Sequence, residues 1–284
     1  MNMKDKLLLV DGHNLLFQMF FGMPNQIVNK DGKAIQGVIG FVGALNKIIQ
    51  QTGPTHVVVV FDGEHENPRT ELLAEYKDNR VDYSQVSEEE NPFTQLPDVY
   101  RALDYMDIKH CETVDCEADD VIASYVLRFA NRQMEIVISS WDSDYFQLIR
   151  ENVNVLRYRG KCTTICDMAY LEEKFDISPE GYADFKALVG DSADNIKGAR
   201  GIGPKTASAL LGQYKSLEGI LENVTAIEKK KVREVLQEDQ ERLRMNYKII
   251  KLDDRATLPF ELADLLYQKA EYKTTEVLQG IGLM

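Results

Sequence analysis

Residues 115–120 read Asp-Cys-Glu-Ala-Asp-Asp and place four carboxylates directly ahead of an apolar run at 121–127. One or two acids there would mark a helix start, each favoured by about 0.3–1 kcal/mol near the positive end of the helix dipole. Four are harder to explain that way. Two carboxylates about 4 Å apart repel by about 4 kcal/mol even at an effective dielectric near 20. Such a cluster persists if its members splay into solvent or if a multivalent cation sits among them. The run alone does not decide which of Asp115, Glu117, Asp119 and Asp120 would be ligands.

Further acids stand where strands should end. Residues 6–10 form a short apolar run that stops at Asp11, and 56–61 (His-Val-Val-Val-Val-Phe) stop at Asp62. A third run, 135–140, leads to Asp142 and Asp144. Near-continuous β-branched runs are typical of parallel strands covered on both faces. Between them lie helical patterns at 12–21 and 37–50, the second with Val38, Phe41, Val42, Leu45, Ile48 and Ile49 on one face. Strands alternating with helices predict an open, parallel α/β sheet. In such sheets ligands bind in the crevice outside the carboxyl ends of the strands. Asp is also a good cap residue, which would explain any one of these positions alone.

Two stretches lie outside this alternation. Residues 67–95 begin with a helical segment carrying Arg69, Tyr76, Lys77 and Arg80, then turn polar, with Glu88, Glu89 and Glu90 near the end. With little to bury, the segment is expected to stand away from the core, be mobile, and hold Arg69, Lys77 and Arg80 on roughly one helical face. Beyond Phe175 the pattern becomes helices alone. There Asp191 and Asp194 precede Gly198-Ala199-Arg200-Gly201-Ile202-Gly203-Pro204-Lys205-Thr206-Ala207. Pro at a first helical position and glycines just before it let backbone N–H groups approach an anion. With Lys197, Arg200 and Lys205 alongside, this is a phosphate clamp that reads no bases.

At 284 residues the chain suits one large domain or two modest ones, and 44% hydrophobic residues allow a sizeable core. No apolar run approaches the roughly 20 residues of a membrane span. The first residues lack a signal-peptide pattern, so a soluble, cytoplasmic protein without membrane association is expected. Cysteines 111, 116, 162 and 166 match no common zinc spacing, and only His110 beside Cys111 keeps zinc in view. The formal charge of −13 is opposite to that of a typical nucleic-acid binder. Distribution matters more than the sum. Removing the nine candidate ligand acids from −13 leaves −4, an ordinary surface.

In order along the chain, LLLVDGHN, VVVVFDG, an R…YK..R helix, EADDVIAS, SSWDSDYFQL and GDSADNIKGARGIGPKTA resemble the 5′ nucleases, the flap endonuclease family that includes the 5′→3′ exonuclease domain of bacterial DNA polymerase I. The likeness spans about residues 7–211. It implies a PIN-like nuclease domain over 1–175, with the 67–95 segment as a helical arch, and a helical region over 176–284 with a helix–hairpin–helix DNA-binding motif. It implies metal-ligating or metal-orienting roles for Asp11, Asp62, Glu117, Asp119, Asp120, Asp142, Asp144, Asp191 and Asp194, and leaves Asp115 as a cap or surface acid. Lys77 and Arg80 would act on the reacting phosphate. Arg69, Tyr76, Lys197, Arg200, Gly201, Gly203, Lys205 and Thr206 would contact DNA. Oxygen donors select Mg²⁺ or Mn²⁺ over zinc, in two or more positions, and the likeness extends to K⁺ at the hairpin motif. The expected activity is metal-dependent cleavage of flapped or branched DNA in replication and repair, by a monomer with no small-molecule cofactor and no attached polymerase.

Two departures stand out: Gln18 where an arginine is expected, and Ser143 where polymerase-type members carry lysine. Altered affinity or rate is expected from them. The alternatives are a ribonuclease of PIN type and a DNA-junction binder whose metal site has decayed. A haloacid-dehalogenase phosphatase fails, because its Asp-x-Asp pair should follow the first strand.

Overall fold

The computed structural model describes residues 5–64, 68–130, 134–268 and 272–284. Six strands form one sheet in the order β3-β2-β1-β4-β5-β6: β1 (Lys6–Asp11), β2 (His56–Phe61), β3 (Lys109–Glu112), β4 (Glu135–Ser139), β5 (Val153–Arg157) and β6 (Thr164–Cys166). The first five are parallel, and only β6 runs antiparallel, against β5. The expected open α/β sheet is therefore present. Helices α1 (Gly12–Gly22), α2 (Gln36–Thr52), α3 (Pro68–Leu72), α4 (Leu96–Tyr105) and α5 (Ala118–Phe129) fall between the strands.

Side-chain alternation along the strands divides the core in two. Leu7, Leu9, Val58 and Val60 face α5 and the later helices, whereas Leu8, Val10, Val57, Val59 and Phe61 face α1, α2 and α4. Because both faces are covered, β1 and β2 read as unbroken apolar runs rather than alternating ones. The strands that the pattern did not announce are short and lie toward the sheet edges. β3 is half-exposed and polar, and β6 has three residues.

After β6 come α6 (Met168–Phe175) and α7 (Tyr182–Val189), then a two-stranded ribbon of β7 (Gly190–Asp191) and β8 (Ile196–Lys197). The ribbon corrects the expectation of helices alone beyond residue 175; two-residue strands leave no periodic signal. It is followed by α8 (Pro204–Tyr214), α9 (Leu217–Glu222), α10 (Lys230–Glu238), α11 (Gln240–Ile250) and α12 (Thr274–Gly280). The last helix returns to the sheet layer, where Val277 and Leu278 join the core of α2 and α4.

The 68–95 segment departs most from expectation; residue 67 lies outside the described residues. Rather than one helix standing off the core, it is the short α3 followed by turns, and Lys77 is left-handed at φ +59°. Its polar residues find buried partners. Arg69 donates to both oxygens of Asp120 (3.0 and 2.7 Å), pairs with Glu117, and donates from Nε to the Ile249 carbonyl at 2.9 Å. Asp120 also accepts from the Asp253 N–H at 2.9 Å. One guanidinium thus fastens α3 to α5 and to the end of α11. Removing one partner of a buried pair strands the other charge. Arg69→Ala should lower stability by about 3–5 kcal/mol in urea unfolding; a loss below about 1 kcal/mol would mean that the pair is solvated and contributes little.

Candidate metal centre and nucleic-acid interface

The parallel strands deliver their acids to one edge. Asp11 ends β1, and its Oδ1 caps α1 by accepting from the Asn14 N–H at 3.0 Å. Its other oxygen accepts from Ser140 Oγ at 2.9 Å, just past β4. Asp62 follows β2 and accepts from the Ala118 N–H at 2.8 Å, so it caps α5 from across the cleft. Glu117 is the residue before α5, and Asp119 lies in its first turn. Asp142 is held by its N–H donating to Ser140 Oγ and accepts from the Asp144 N–H at 2.8 Å. Asp11, Asp62, Glu117, Asp119 and Asp142 line one cleft of about 1350 Å³, together with Lys77 and Arg80.

A second group lies beside it. Carboxylate oxygens of Asp144, Asp191 and Asp194 come within 4.8 Å of one another. The ribbon makes this possible through glycine. Gly190 adopts φ +84°, and a Cβ on Gly198 would sit 2.2 Å from the Val189 carbonyl carbon, so two backbones meet where no side chain fits. Arg242 and Asn246 from α11 donate to the Gly198 and Lys197 carbonyls and hold the turn from behind.

Three cations and one histidine face these acids. Lys77 pairs with Glu117 in the first group, while its N–H donates to the Asp194 carbonyl at 3.1 Å in the second. Arg80 pairs with Asp194 at 2.8 Å. His13 lies 3.6 Å from Asp62. Lys186, on α7, is buried and pairs with both Asp144 and Asp191. Sequence reading passed over Lys186, since one lysine in an amphipathic helix looks like a solvent-facing residue. Its spacing to Asp191 and Asp194 in the same segment was the available signal.

Three residues are placed differently from expectation. Asp120 has both oxygens taken by Arg69 and does not line the cleft, so it holds the fold rather than an open ligand position. Arg69 is correspondingly buried and offers nothing to DNA in this arrangement. Tyr76 is 5% exposed and donates to Glu117 at 3.1 Å, which removes its ring from stacking on a base. The reason is common to all three: the segment had buried acids to satisfy. Arg69, Lys77 and Arg80 accordingly share no helical face. Gln18 donates to the Tyr158 carbonyl, and Ser143 lies 3.4 Å from Lys186 Nζ. Asp115 is exposed, as expected. His110 stacks on Tyr100 at 5.0 Å and meets Asp104, turned away from the acids.

Crowding moves the carboxyls' proton affinities apart. Burial, then Asp62, pushes Asp11 up to about 6. Burial pushes Asp144 up to about 7 although Lys186 pulls the other way. Asp119 is raised well above its ordinary range by burial and by Asp142. Burial would raise Asp62 too, but the His13 hydrogen bond and the Ala118 N–H bring it down to about 2. An all-oxygen donor set with unmet negative charge suits a hard divalent cation. The buried Lys186 ammonium between two carboxylates occupies the kind of position such a cation takes, so the residues present fit one.

The segment read as an anion clamp lies at the start of α8. Gly203 precedes the helix, Gly201 is left-handed at φ +79°, and Ile202 is buried beneath the turn. Lys197, Arg200 and Lys205 are exposed, and Thr206 is half-buried with its N–H donating to the Gly203 carbonyl. The helix N-terminus is open to an anion.

This edge of carboxylates on a resolvase-like sheet, followed by a helical unit, defines a class. The chain belongs to the 5′-3′ exonuclease family: the family's N-terminal resolvase-like domain matches residues 6–176, and its C-terminal SAM fold matches residues 177–273. The resemblance drawn from the motifs is thereby borne out. Among relatives, the thermostable DNA polymerase I of Thermus thermophilus is 34% identical over 259 residues, and DNA polymerase I of Streptococcus pneumoniae is 33% identical over 269. These matches take in 91% and 93% of this chain but 30% of each polymerase, so the chain spans under a third of those relatives' length. Bacteriophage T5 5′-exonuclease with bound zinc shares the fold at TM-score 0.72 and 24% identity, over 87% of this chain and 90% of that one. The catalytic core of Rad2 with a DNA substrate aligns at TM-score 0.61 and 16% identity, over 98% and 93%. Among the described residues no helix is long and apolar enough to cross a membrane.

The raised carboxyls set a stability profile. Folded Asp11 and Asp144 hold protons that the unfolded chain, near its ordinary pKa of about 4, has released. The folded state binds more protons between about pH 4 and 7, so stability falls as pH rises through that window. His56, lowered by burial, opposes this with one group. Metal-free protein should therefore melt a few degrees higher at pH 5.5 than at pH 7.5, and Mg²⁺ at pH 7.5 should restore the difference. A melting temperature that rises with pH in EDTA would contradict this assignment.

Proposed function

We propose that this chain is a divalent-metal-dependent 5′ nuclease that hydrolyses phosphodiester bonds in flapped or branched DNA. The observation that carries the reading is the cleft itself: carboxylates from three strand ends and from α5 face Lys77 and Arg80 across a volume wide enough for a nucleotide. Asp11, Asp62, Glu117 and Asp119 would hold one cation position; Asp144, Asp191 and Asp194 would hold another, with Asp142 between the two groups. Mg²⁺ or Mn²⁺ there would supply a water of lowered pKa and stabilise the leaving 3′ oxygen. The bacteriophage T5 D15 flap endonuclease, seen with DNA and metal ions, shares this fold and supports this substrate class.

The chain's own residues have distinct tasks in this reading. Lys77 and Arg80 neutralise the reacting phosphate, exchanging Glu117 and Asp194 for it as the strand enters. Lys186 keeps Asp144 and Asp191 from repelling each other before the cations arrive. Lys197, Arg200, Lys205 and the N–H groups of Gly201, Gly203 and Lys205 grip a duplex backbone, with Thr206 beside them and with K⁺ at that turn as part of the same reading. We place the boundary between nuclease and helical units at residues 175/176 and regard the protein as a cytoplasmic monomer.

Asp142→Asn or Asp191→Asn should slow cleavage by a factor on the order of 10³ or more while DNA binding holds or tightens, because carboxylate–phosphate repulsion falls. End-labelled flap, nicked-duplex and single-strand substrates, each with Mg²⁺ and with EDTA, give the readout. Wild-type turnover in EDTA would sink the metal requirement. Lys77→Ala should lower the single-turnover rate by about 10²-fold, typical of removing one transition-state donor, with a smaller change in equilibrium binding. An unchanged single-turnover rate with weaker binding would reduce the segment to a tether.

A further inference from the structure

Tyr145 follows Asp144 in the short 3₁₀ turn Asp144–Leu148 and is fully buried, in the core on the α5 side of the sheet. Its hydroxyl reaches the first group of acids. It donates to Asp119 Oδ1 in the first turn of α5 and lies 3.4 Å from Asp11 Oδ2 at the end of β1. This is the only hydrogen bond that the Asp119 carboxylate makes among the described residues. Asp11, by contrast, also accepts from the Asn14 N–H and from Ser140. One neutral donor thus stands between carboxylates carried by two different elements. Neighbouring residues of one turn serve both acid groups, Asp144 the second and Tyr145 the first.

The turn that carries the hydroxyl is braced. Gln147 donates to the Ile250 carbonyl at 2.9 Å and accepts from the Leu252 N–H at 3.3 Å, which ties the turn to the end of α11. A phenol, with an ordinary pKa of about 10, keeps its proton at neutral pH. Tyr145 therefore orients its acceptors without adding charge, whereas a lysine there would compete with a bound cation. Its bond to Oδ1 fixes the rotation of the Asp119 carboxylate and leaves Oδ2 without a hydrogen bond, on a residue that lines the cleft. Outer partners of ligating groups typically change metal affinity by about 10–100-fold. Rigidity also discriminates between cations. Mg²⁺ demands near-octahedral oxygens at about 2.0–2.1 Å, while Ca²⁺ accepts more ligands at about 2.3–2.6 Å in a flexible arrangement.

We propose that Tyr145 is a positioning residue for the first cation position, holding Asp119 beside Asp11 so that the pair selects Mg²⁺ or Mn²⁺ over Ca²⁺. This rests on the nuclease reading. Tyr145→Phe keeps the ring and deletes one oxygen. The full-length protein, without DNA, is titrated with Mn²⁺ at pH 7.5, the bound ion is counted by electron paramagnetic resonance, and Mg²⁺ or Ca²⁺ is then used to displace it. Tyr145→Phe should weaken Mg²⁺ binding by about 10–100-fold. The loss for Ca²⁺ should be clearly smaller, so that selectivity narrows. Unchanged Mg²⁺ binding overturns the proposal. Equal weakening of both ions also overturns it, because that is the mark of a merely loosened fold. A second variant tests the route of action. On an Asp119→Asn background, Tyr145→Phe should cause no further loss of Mg²⁺ binding, since the hydroxyl acts through that carboxylate. A further loss of the same size as in the wild type overturns the assignment. Failure of the nuclease reading is separate: wild-type protein would then leave flap DNA uncut in Mg²⁺ whatever Tyr145→Phe does to ion binding.

Discussion

Eight carboxylates gather at one edge of the sheet, and the fold must hold them there before any cation binds. At about 4 Å a single pair repels by about 4 kcal/mol under an effective dielectric near 20. Total stability of a domain is of order 5–15 kcal/mol, so the group cannot persist uncompensated. The chain answers with its own cations. Lys77, Arg80 and Lys186 each meet an acid of the cluster, and the neutral or raised state of Asp11 and Asp144 removes further charge. Arg69 and Asp120 stand behind them as a separate pair that joins α3, α5 and α11.

The same compensation constrains any catalytic reading. A cation paired with Glu117 is already largely neutralised, so any further anion competes with that pair for Lys77. Lys77 is held by more than its charge: its left-handed backbone, disfavoured by about 1–2 kcal/mol for a side-chain-bearing residue, is fixed by the N–H bond to Asp194. Loss of the Glu117 pair would free the ammonium while the backbone bond to Asp194 stays in place. The polar 68–95 segment is thus docked at its start through Arg69 and Tyr76, and near its end through Tyr83 and Phe93, which pack edge-on against Phe17 of α1.

Much of this was legible in the chain. Strand-terminal aspartates at 11, 62 and 142 follow from the polarity of a parallel sheet, which sends every strand's carboxyl end to one side. The Glu117–Asp120 run could be placed at a helix start, but not divided. Nothing in three closely spaced acids tells that Asp120 turns inward to Arg69 while Asp119 turns to the cleft. Lys186 was passed over and Arg69 misplaced for one reason. Sequence patterns assign charged residues to solvent, and a buried pair is visible only once both partners are placed. The edge strands β3 and β6 failed through brevity, since three or four residues carry too few alternations to register.

The second acid group depends on something smaller than a strand. Asp191 and Asp194 lie on a turn whose ends must bring two backbones into contact, and a Cβ at Gly190 would sit 2.4 Å from the Gly198 nitrogen. That approach fixes the ribbon against α7, and α7 carries Lys186 to the same place. The ammonium, the two acids it pairs or neighbours on the ribbon, and the turn leading to α8 are therefore one mechanical unit. A displacement at the exposed Lys197–Lys205 turn would reach Asp191 and Asp194 through Gly198 without crossing a flexible linker. The exposed turn before α8 and the placement of Asp191 and Asp194 are thus coupled through the short run of chain that joins them.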